Sequence, residues 1–389
     1  VVHKKPQELT PAYNSQIFTA LSDQIAQPGF KYMVTVTVNG DTANTYTKEI
    51  LQRPDGWLVF NAMEWVKNYI EHYFEYNNVS LSYPINLATG KNVSVEVVIS
   101  EYGISPIDSE TITYEAFDAC LTDKSFRTYD ITDYGFGSTT GLYFLSKTVD
   151  TITPDSRLVL NQPLFIHFIP NPCDNIIITL RRNNVAIDTV SIASLPASVN
   201  TYDIYQLTIS STIFTGATAQ VGDVIRVDFL DSAVSLLRYN ITLVDICTKY
   251  TDYVLYYLGR TGNILPFHFE YKSTEDFTKK VNTVKLNKDT LNTTTGEYGS
   301  NTYDREEHVI STVTDSTMEL NTGWITEAQS LQLKDLFDSP IVYLWDGGDL
   351  ISCRVTNTSF QRKLKVNEKL FNYNITVDLG ITETRQRGI

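Results

Sequence analysis

The sequence predicts a β-rich α+β protein of several domains, with a central immunoglobulin- or fibronectin-like β-sandwich between two α+β units. Three observations carry this expectation. Residues 156–246 hold about seven short apolar runs parted by turn signals, with no helical period. The segments before and after each place one stretch of helical spacing among strands of period two. The chain has 389 residues with 24 Tyr and 18 Phe, and its frequent Asn and Thr favour strands with polar outer faces.

Residues 1–30, punctuated by Pro6, Pro11 and Pro28, read as an extended N-terminal arm. Such an arm packs along its own domain or reaches a neighbouring subunit. An α+β domain follows over 31–125. Lys31 to Val38 forms a strand, Asn39-Gly40 a hairpin turn, and Thr45 to Leu51 the returning strand. Asn61 is placed to cap a helix, with Glu64 three residues on. Trp65, Tyr69 and Tyr73 form one row of its apolar face, and Val66, Ile70 and Phe74 form the other. That aromatic stripe reads as core packing, with a ligand box as the alternative. Val93 to Ile99 alternates as a strand that Thr111 to Phe117 can pair with.

Residues 126–155 read as a linker or long loop. Its Gly135-Phe-Gly137 lacks the flanking strand and helix that a phosphate-binding glycine loop needs. The sandwich over 156–246 has turns at Pro170-Asn-Pro172, Asn183-Asn184 and Val221-Gly-Asp223, and no Cys–Trp–Cys core of antibody type. A C-terminal α+β domain runs over 247–380, followed by a tail at 381–389. Its strands include Tyr253 to Leu258 and Phe267 to Phe269, and Lys288 to Asn301 reads as an exposed loop. Thr326 and Gln329 form a capping box for a helix that carries Leu333, Leu336 and Phe337 on its apolar side. Ser339-Pro340 stops that helix, since the residue before proline avoids helical angles. Trp324 and Phe337 are expected to flank it as core residues with Leu336. Phe371, Tyr373, Ile375, Val377 and Leu379 alternate in a last strand.

The formal net charge of −14 repels phosphate, which argues against general nucleic-acid binding. No run of eighteen apolar residues predicts a membrane span. Val1 to Pro6 lacks the apolar core of a signal peptide. Cys120, Cys173, Cys247 and Cys353 show no C-x-x-C spacing, so they are expected to be free buried thiols from a reducing compartment. His3, His72, His167, His268 and His308 form no zinc-binding spacing, and there is no nucleophile elbow or phosphate loop. The expectation is a protein without catalysis, metal or cofactor, although two carboxylates that meet only in space would escape this reading. One charge feature is uneven. Arg362, Lys363, Lys365 and Lys369 cluster before the last strand, and Arg385 and Arg387 end the chain. These six are the candidate subunit interface, and a solvated loop and tail are the alternative.

Four stretches, spread in order over nearly the whole chain, carry a family resemblance. They are Pro11-Ala-Tyr-Asn14 with Gln27-Pro-Gly-Phe-Lys-Tyr32 and the turn at 38–40; Cys247 with Lys249-Tyr250, Tyr253 to Gly259, Thr261-Gly262 and Phe267-His-Phe269; Gly323 to Glu327 through Leu336 to Tyr343; and Asn367 to Tyr373. Together they resemble virion structural proteins of tailed bacteriophages that infect Bacteroidota, including the crAss-like phages. Where related chains commonly read Asn-Arg-Tyr-Gly-Gly, this one has Gly259-Arg-Thr-Gly-Asn263. The resemblance implies a homo-oligomeric ring in the neck, tail or baseplate, joined to other tail proteins, in a virion made in the host cytoplasm. The alternatives are a bacterial surface or secreted adhesin with fibronectin-like modules, and a carbohydrate-binding tail protein.

Overall fold

In the computed structural model the described residues are 2–72, 74, 76, 85–103, 105–134, 142–145, 157–171, 173–197, 202–232, 234–245, 253–286, 289–300, 306–346, 348–359, 361 and 371–384. The chain forms two compact units. The first takes residues 1–246 with 258–266, and the second takes 247–257 with 267–389. No division between compact units falls at residue 125.

The first unit holds two sheet systems. In one, a five-stranded sheet runs in the order Leu9–Pro11, Pro106–Phe117, Asn92–Tyr102, Lys31–Val38, Thr45–Ile50. The Lys31–Val38 strand alternates strictly, burying Tyr32, Val34, Val36 and Val38. Asn39 and Gly40 take φ of 53° and 64°, the left-handed pair that turns this strand toward Thr45–Ile50. A three-stranded sheet, Val2–Lys4, Ile17–Leu21 and Trp57–Asn61, closes over the buried face, so that Phe18, Leu58 and Phe60 share a core with Val34, Val95 and Val97. The described part of the expected arm is therefore built into this unit. Leu9, Ala12 and Phe18 have no exposed surface.

The helix expected from Asn61 to Phe74 is cut short. It spans Met63–Val66, tightens to a 3₁₀ turn at Lys67–Tyr69, and is extended by Ile70. Asn61 does act at its start, where its side chain accepts from Met63 N at 3.1 Å. β-Branched and aromatic residues gain little from a helix, and the Glu71 N–H goes instead to the Gly90 carbonyl at 2.9 Å. The stripe divides accordingly. Trp65 is half-buried, stacked on Phe60 at 5.1 Å with the Lys48 ammonium 5.8 Å over its ring. Tyr69 is exposed rather than core, because the chain leaves the helix there. Tyr73 lies outside the described residues.

The second system is the sandwich, and all seven anticipated strands are present. One sheet runs Arg157–Val159, Val234–Val244, Val224–Asp231, Asn175–Arg182, Val185–Ile192. The facing sheet runs Leu142–Phe144, Leu164–Pro170, Tyr205–Ile209, Ile85–Leu87. Its outer strands come from the segments read as linker and as first domain. The core packs Phe144, Phe168 and Phe229 edge to face, with Phe168 and Phe229 centroids 5.0 Å apart.

A seven-stranded sheet, all in the second unit except Leu258 and residues 264–266, runs in the order Ile264–Phe269, Tyr253–Leu258, Val342–Asp346, Asp349–Val355, Asn374–Thr384, Glu307–Asn321, Thr274–Lys285. The helix Glu327–Asp338 carries the full capping box of Thr326 and Gln329. Leu333 and Leu336 are buried, and Phe337 is only half-buried. Phe371, Tyr373, Ile375, Val377 and Leu379 are all buried. The long antiparallel pair of Thr274–Lys285 with Glu307–Asn321 was not legible in the sequence. Its outer strand is exposed on both faces, so no apolar alternation marks it.

Trp324 corrects an expectation, since it is 60% exposed. Gly323, at φ +66°, lies so close to Tyr271 that a Cβ there would come within 2.3 Å of the ring. Ile325, bridged to Phe371, is then the residue turned inward, and Trp324 takes the other side. Trp324→Ala should accordingly shift stability by no more than about 0.5 kcal/mol, against about 3–5 kcal/mol for a core aromatic. Thermal melting of the variant beside the parent checks this. A large loss would mean that the indole is covered.

Candidate functional site: a buried polar junction and an exposed strand edge

Where the two sheet systems of the first unit meet, a small apolar cluster of Leu9, Phe117, Ala119, Tyr143, Leu145 and Ile169 joins them. Beside it lies a set of titratable groups in mutual contact. The Asp118 carboxylate, 3% exposed, stands 3.6 Å from the Lys91 ammonium, which has no exposed surface. His72 Nδ1 lies 3.0 Å from both Asp118 oxygens, and its ring stacks on Tyr13. Backbone bonds fix the geometry. Asp118 N–H donates to the Lys91 carbonyl at 2.8 Å, and Cys120 N–H donates to the Arg260 carbonyl at 2.8 Å. Gly262, at φ +71°, presses on the same strand end so tightly that a Cβ would sit 2.0 Å from the Asp118 carbonyl. This explains the glycine of the 259–263 loop, where any side chain would push the loop away.

Burial shifts the groups here in the directions expected. It lowers the Lys91 pKa, and Asp118 opposes that shift. It also holds the wholly buried His167 well below its ordinary value, with the Lys91 charge adding to the effect. His167 is thus a neutral core histidine, as its place in an apolar strand implies. A sealed ammonium and a sealed imidazole cannot reach a substrate in solution. The arrangement can lock three chain segments together, with His72 as its partly exposed member.

Two open clefts lie in the first unit. One of about 810 Å³ is lined by Asn39, Asn68, Glu71, Asn92 and Asp203. One of about 470 Å³ is lined by Lys4, Lys5, Gln7, Arg127 and Tyr129. Among the described residues no group of three or more His, Cys, Asp or Glu could hold a metal ion, and no helix is long and apolar enough to cross a membrane. Cys120, Cys173 and Cys353 are free thiols. Cys120 is exposed, whereas burial pushes Cys173 up to about 11 and Cys353 up to about 12.

Of the anticipated interface residues, Arg362, Lys363, Lys365, Lys369, Arg385 and Arg387 all lie outside the described residues, as does Gly135-x-Gly137. The exposed feature that sequence reading missed is the outer strand Thr274–Lys285, with Phe277 66% and Val281 42% exposed. The charged pairs Glu275-Asp276 and Lys279-Lys280 about Phe277-Thr278 were the available signal.

No protein-family profile matches this chain, and no curated protein is similar to it. Among solved structures, a marsupial T cell receptor is similar at a TM-score of 0.20 and 7% identity, covering 81% of this chain and 96% of that one. A likeness that low carries no argument about fold or function.

Proposed function

We propose that this chain is a structural subunit of a tailed-bacteriophage virion, forming a ring in the neck, tail or baseplate and joining neighbouring tail proteins. The observation that best supports this reading is the long hairpin of Thr274–Lys285 and Glu307–Asn321. Eleven of the twelve residues of its outer strand are exposed, and it sets large apolar side chains in solvent. A bare sheet edge with exposed apolar side chains invites pairing with another chain. The four family-like stretches fit the same reading. The N-terminal segment serves its own unit in this proposal, so ring contacts fall to other surfaces. The basic group at 362–369, with Arg385 and Arg387, remains one proposed side of the ring contact, because copies of charge −14 need opposite charges where they meet. Exposed ion pairs contribute only about 0–1 kcal/mol each, so these charges set register more than strength.

The test is mass spectrometry of purified particles together with electron microscopy. Recovery in many copies beside other tail proteins is the expected result, and absence from particles overturns the reading. Within that experiment, reversing Arg362, Lys363 and Lys365 to Glu should impair incorporation. Normal incorporation would show that loop to be merely solvated. A carbohydrate-binding tail protein is the second reading, favoured by exposed Trp324 near the partly exposed Tyr271. Glycan-array binding lost in Trp324→Ala would select it.

A further inference from the structure

Thr274–Lys285 is the terminal strand of its sheet, and among the described residues nothing pairs with its outer edge. Its ladder to Glu307–Asn321 runs without a break from Thr274↔Glu319 to Asn282↔Ser311, and a bulge follows at Asn282/Thr283. Nine residues thus present a regular, straight edge. Most exposed edges are blunted by bulges, prolines or scattered charges. This one has neither bulge nor proline within those nine residues, and its charges, Glu275, Asp276, Lys279 and Lys280, are ordered rather than scattered.

Successive side chains alternate between faces. Glu275, Phe277, Lys279 and Val281 share one face, and Asp276, Thr278 and Lys280 share the other. On the second face Lys280 is already neutralised within the hairpin by Asp315 at 2.7 Å. On the first face the order is Glu275, Phe277, Lys279: an acid and a base placed symmetrically about an exposed aromatic ring. Glu275 there accepts from the Ser316 hydroxyl at 2.7 Å, a neutral partner that leaves its charge in place.

That symmetry has a geometric consequence. An antiparallel strand pair made by two identical strands has its two-fold axis perpendicular to the sheet, and a single residue must then pair with its own copy. With Phe277 on the axis, the two rings meet, Glu275 faces Lys279 of the second copy, and Lys279 faces Glu275. Directly opposed residues lie within about 5.5 Å at Cβ, close enough for both the aromatic and the ionic contacts. Asp276 falls opposite Thr278, so no like charges oppose on the second face.

We propose that the Thr274–Lys285 edge pairs antiparallel with the same edge of a second copy of this chain, centred on Phe277, to give a two-fold dimer. The contact is isologous and closes on two copies, so it is distinct from the heterologous contact that a ring requires. It stands or falls independently of the virion reading.

The experiment is sedimentation velocity on the full chain across a concentration series at low and high salt. The parent should dimerise, and high salt should weaken the dimer. Glu275→Lys and Lys279→Glu should each sediment as monomers, with dimer affinity reduced about tenfold or more, since each change sets like charges opposite at both symmetric positions. Two further samples exclude a folding defect or loss of a generic sticky surface. The double exchange Glu275→Lys with Lys279→Glu should dimerise again. An equimolar mixture of the two single variants should form heterodimers, because an all-basic face then meets an all-acidic one. A parent that stays monomeric at every concentration overturns the proposal. So do single variants that dimerise like the parent, or a mixture that stays monomeric.

Discussion

Asp118→Ala is expected to cost about 3–5 kcal/mol of stability, the usual penalty for removing one partner of a buried ion pair. The reason lies with Lys91. Its ammonium has no exposed surface and Asp118 is an ion-pair partner at 3.6 Å, so the change takes a counter-charge away from a buried ammonium at the seam between the two sheet systems of the first unit. His72 loses its acceptor as well. The penalty belongs to the buried ammonium that has lost this carboxylate rather than to the pair. Asp118→Ala combined with Lys91→Met should therefore recover much of it, as buried pairs replaced by apolar groups often do. Urea unfolding of the parent, the single variant and the double variant measures all three. If the single variant unfolds at the parent's midpoint, Asp118 is not what stabilises the Lys91 ammonium, and the junction does not lock the seam.

Acid should weaken the fold well above the pH at which carboxylates titrate, and His167 should be a principal cause. Its pKa is held well below 6.5, first by burial and then by Lys91. The folded state keeps the ring neutral while the unfolded chain binds a proton below 6.5. In that window the unfolded state holds more protons, so stability rises with pH and is lost as pH falls. One such group contributes a slope of up to about 1.4 kcal/mol per pH unit. Melting temperature measured from about pH 6.5 down to about pH 5 isolates it from most carboxylates. His167→Asn should flatten the profile there, whatever it does to stability at pH 7. An unchanged profile would mean that another group carries the acid sensitivity.

Much of the fold was legible because its causes are local. Alternation over Lys31–Val38 and from Phe371 to Leu379 marks which side chains face inward, since a strand has period two whatever it packs on. The seven sandwich strands stood out between their turn residues. The capping box at Thr326 and Gln329 appears in the structure because both partners lie within one turn of chain. The aromatic stripe after Asn61 misled, because its helical spacing continued past the point where Glu71 finds Gly90 and the backbone leaves the helix. Trp324 misled because a large aromatic beside a helix implies burial, whereas the close approach of Gly323 to Tyr271 turns it outward.

The sequence by itself determined the β-rich class, the sandwich strands, the C-terminal helix with its cap, and which face of most strands is apolar. Only the tertiary structure decided that the sandwich borrows Ile85–Leu87 and Leu142–Phe144, and that the first thirty residues build into their own unit. It alone brought Lys91, Asp118, His72 and the 260–262 loop together, and left Thr274–Lys285 at an open edge. The physical reason is the range of the interactions. Period, capping and turn chemistry act within a few residues, so they are written in the order of the chain. Which strand lies beside which, and which charge is sealed against which, depends on register and loop path between distant parts of the chain, as where Ile85–Leu87 meets Tyr205–Ile209 or His72 and Lys91 meet Asp118. Those contacts exist only once the sheets have closed.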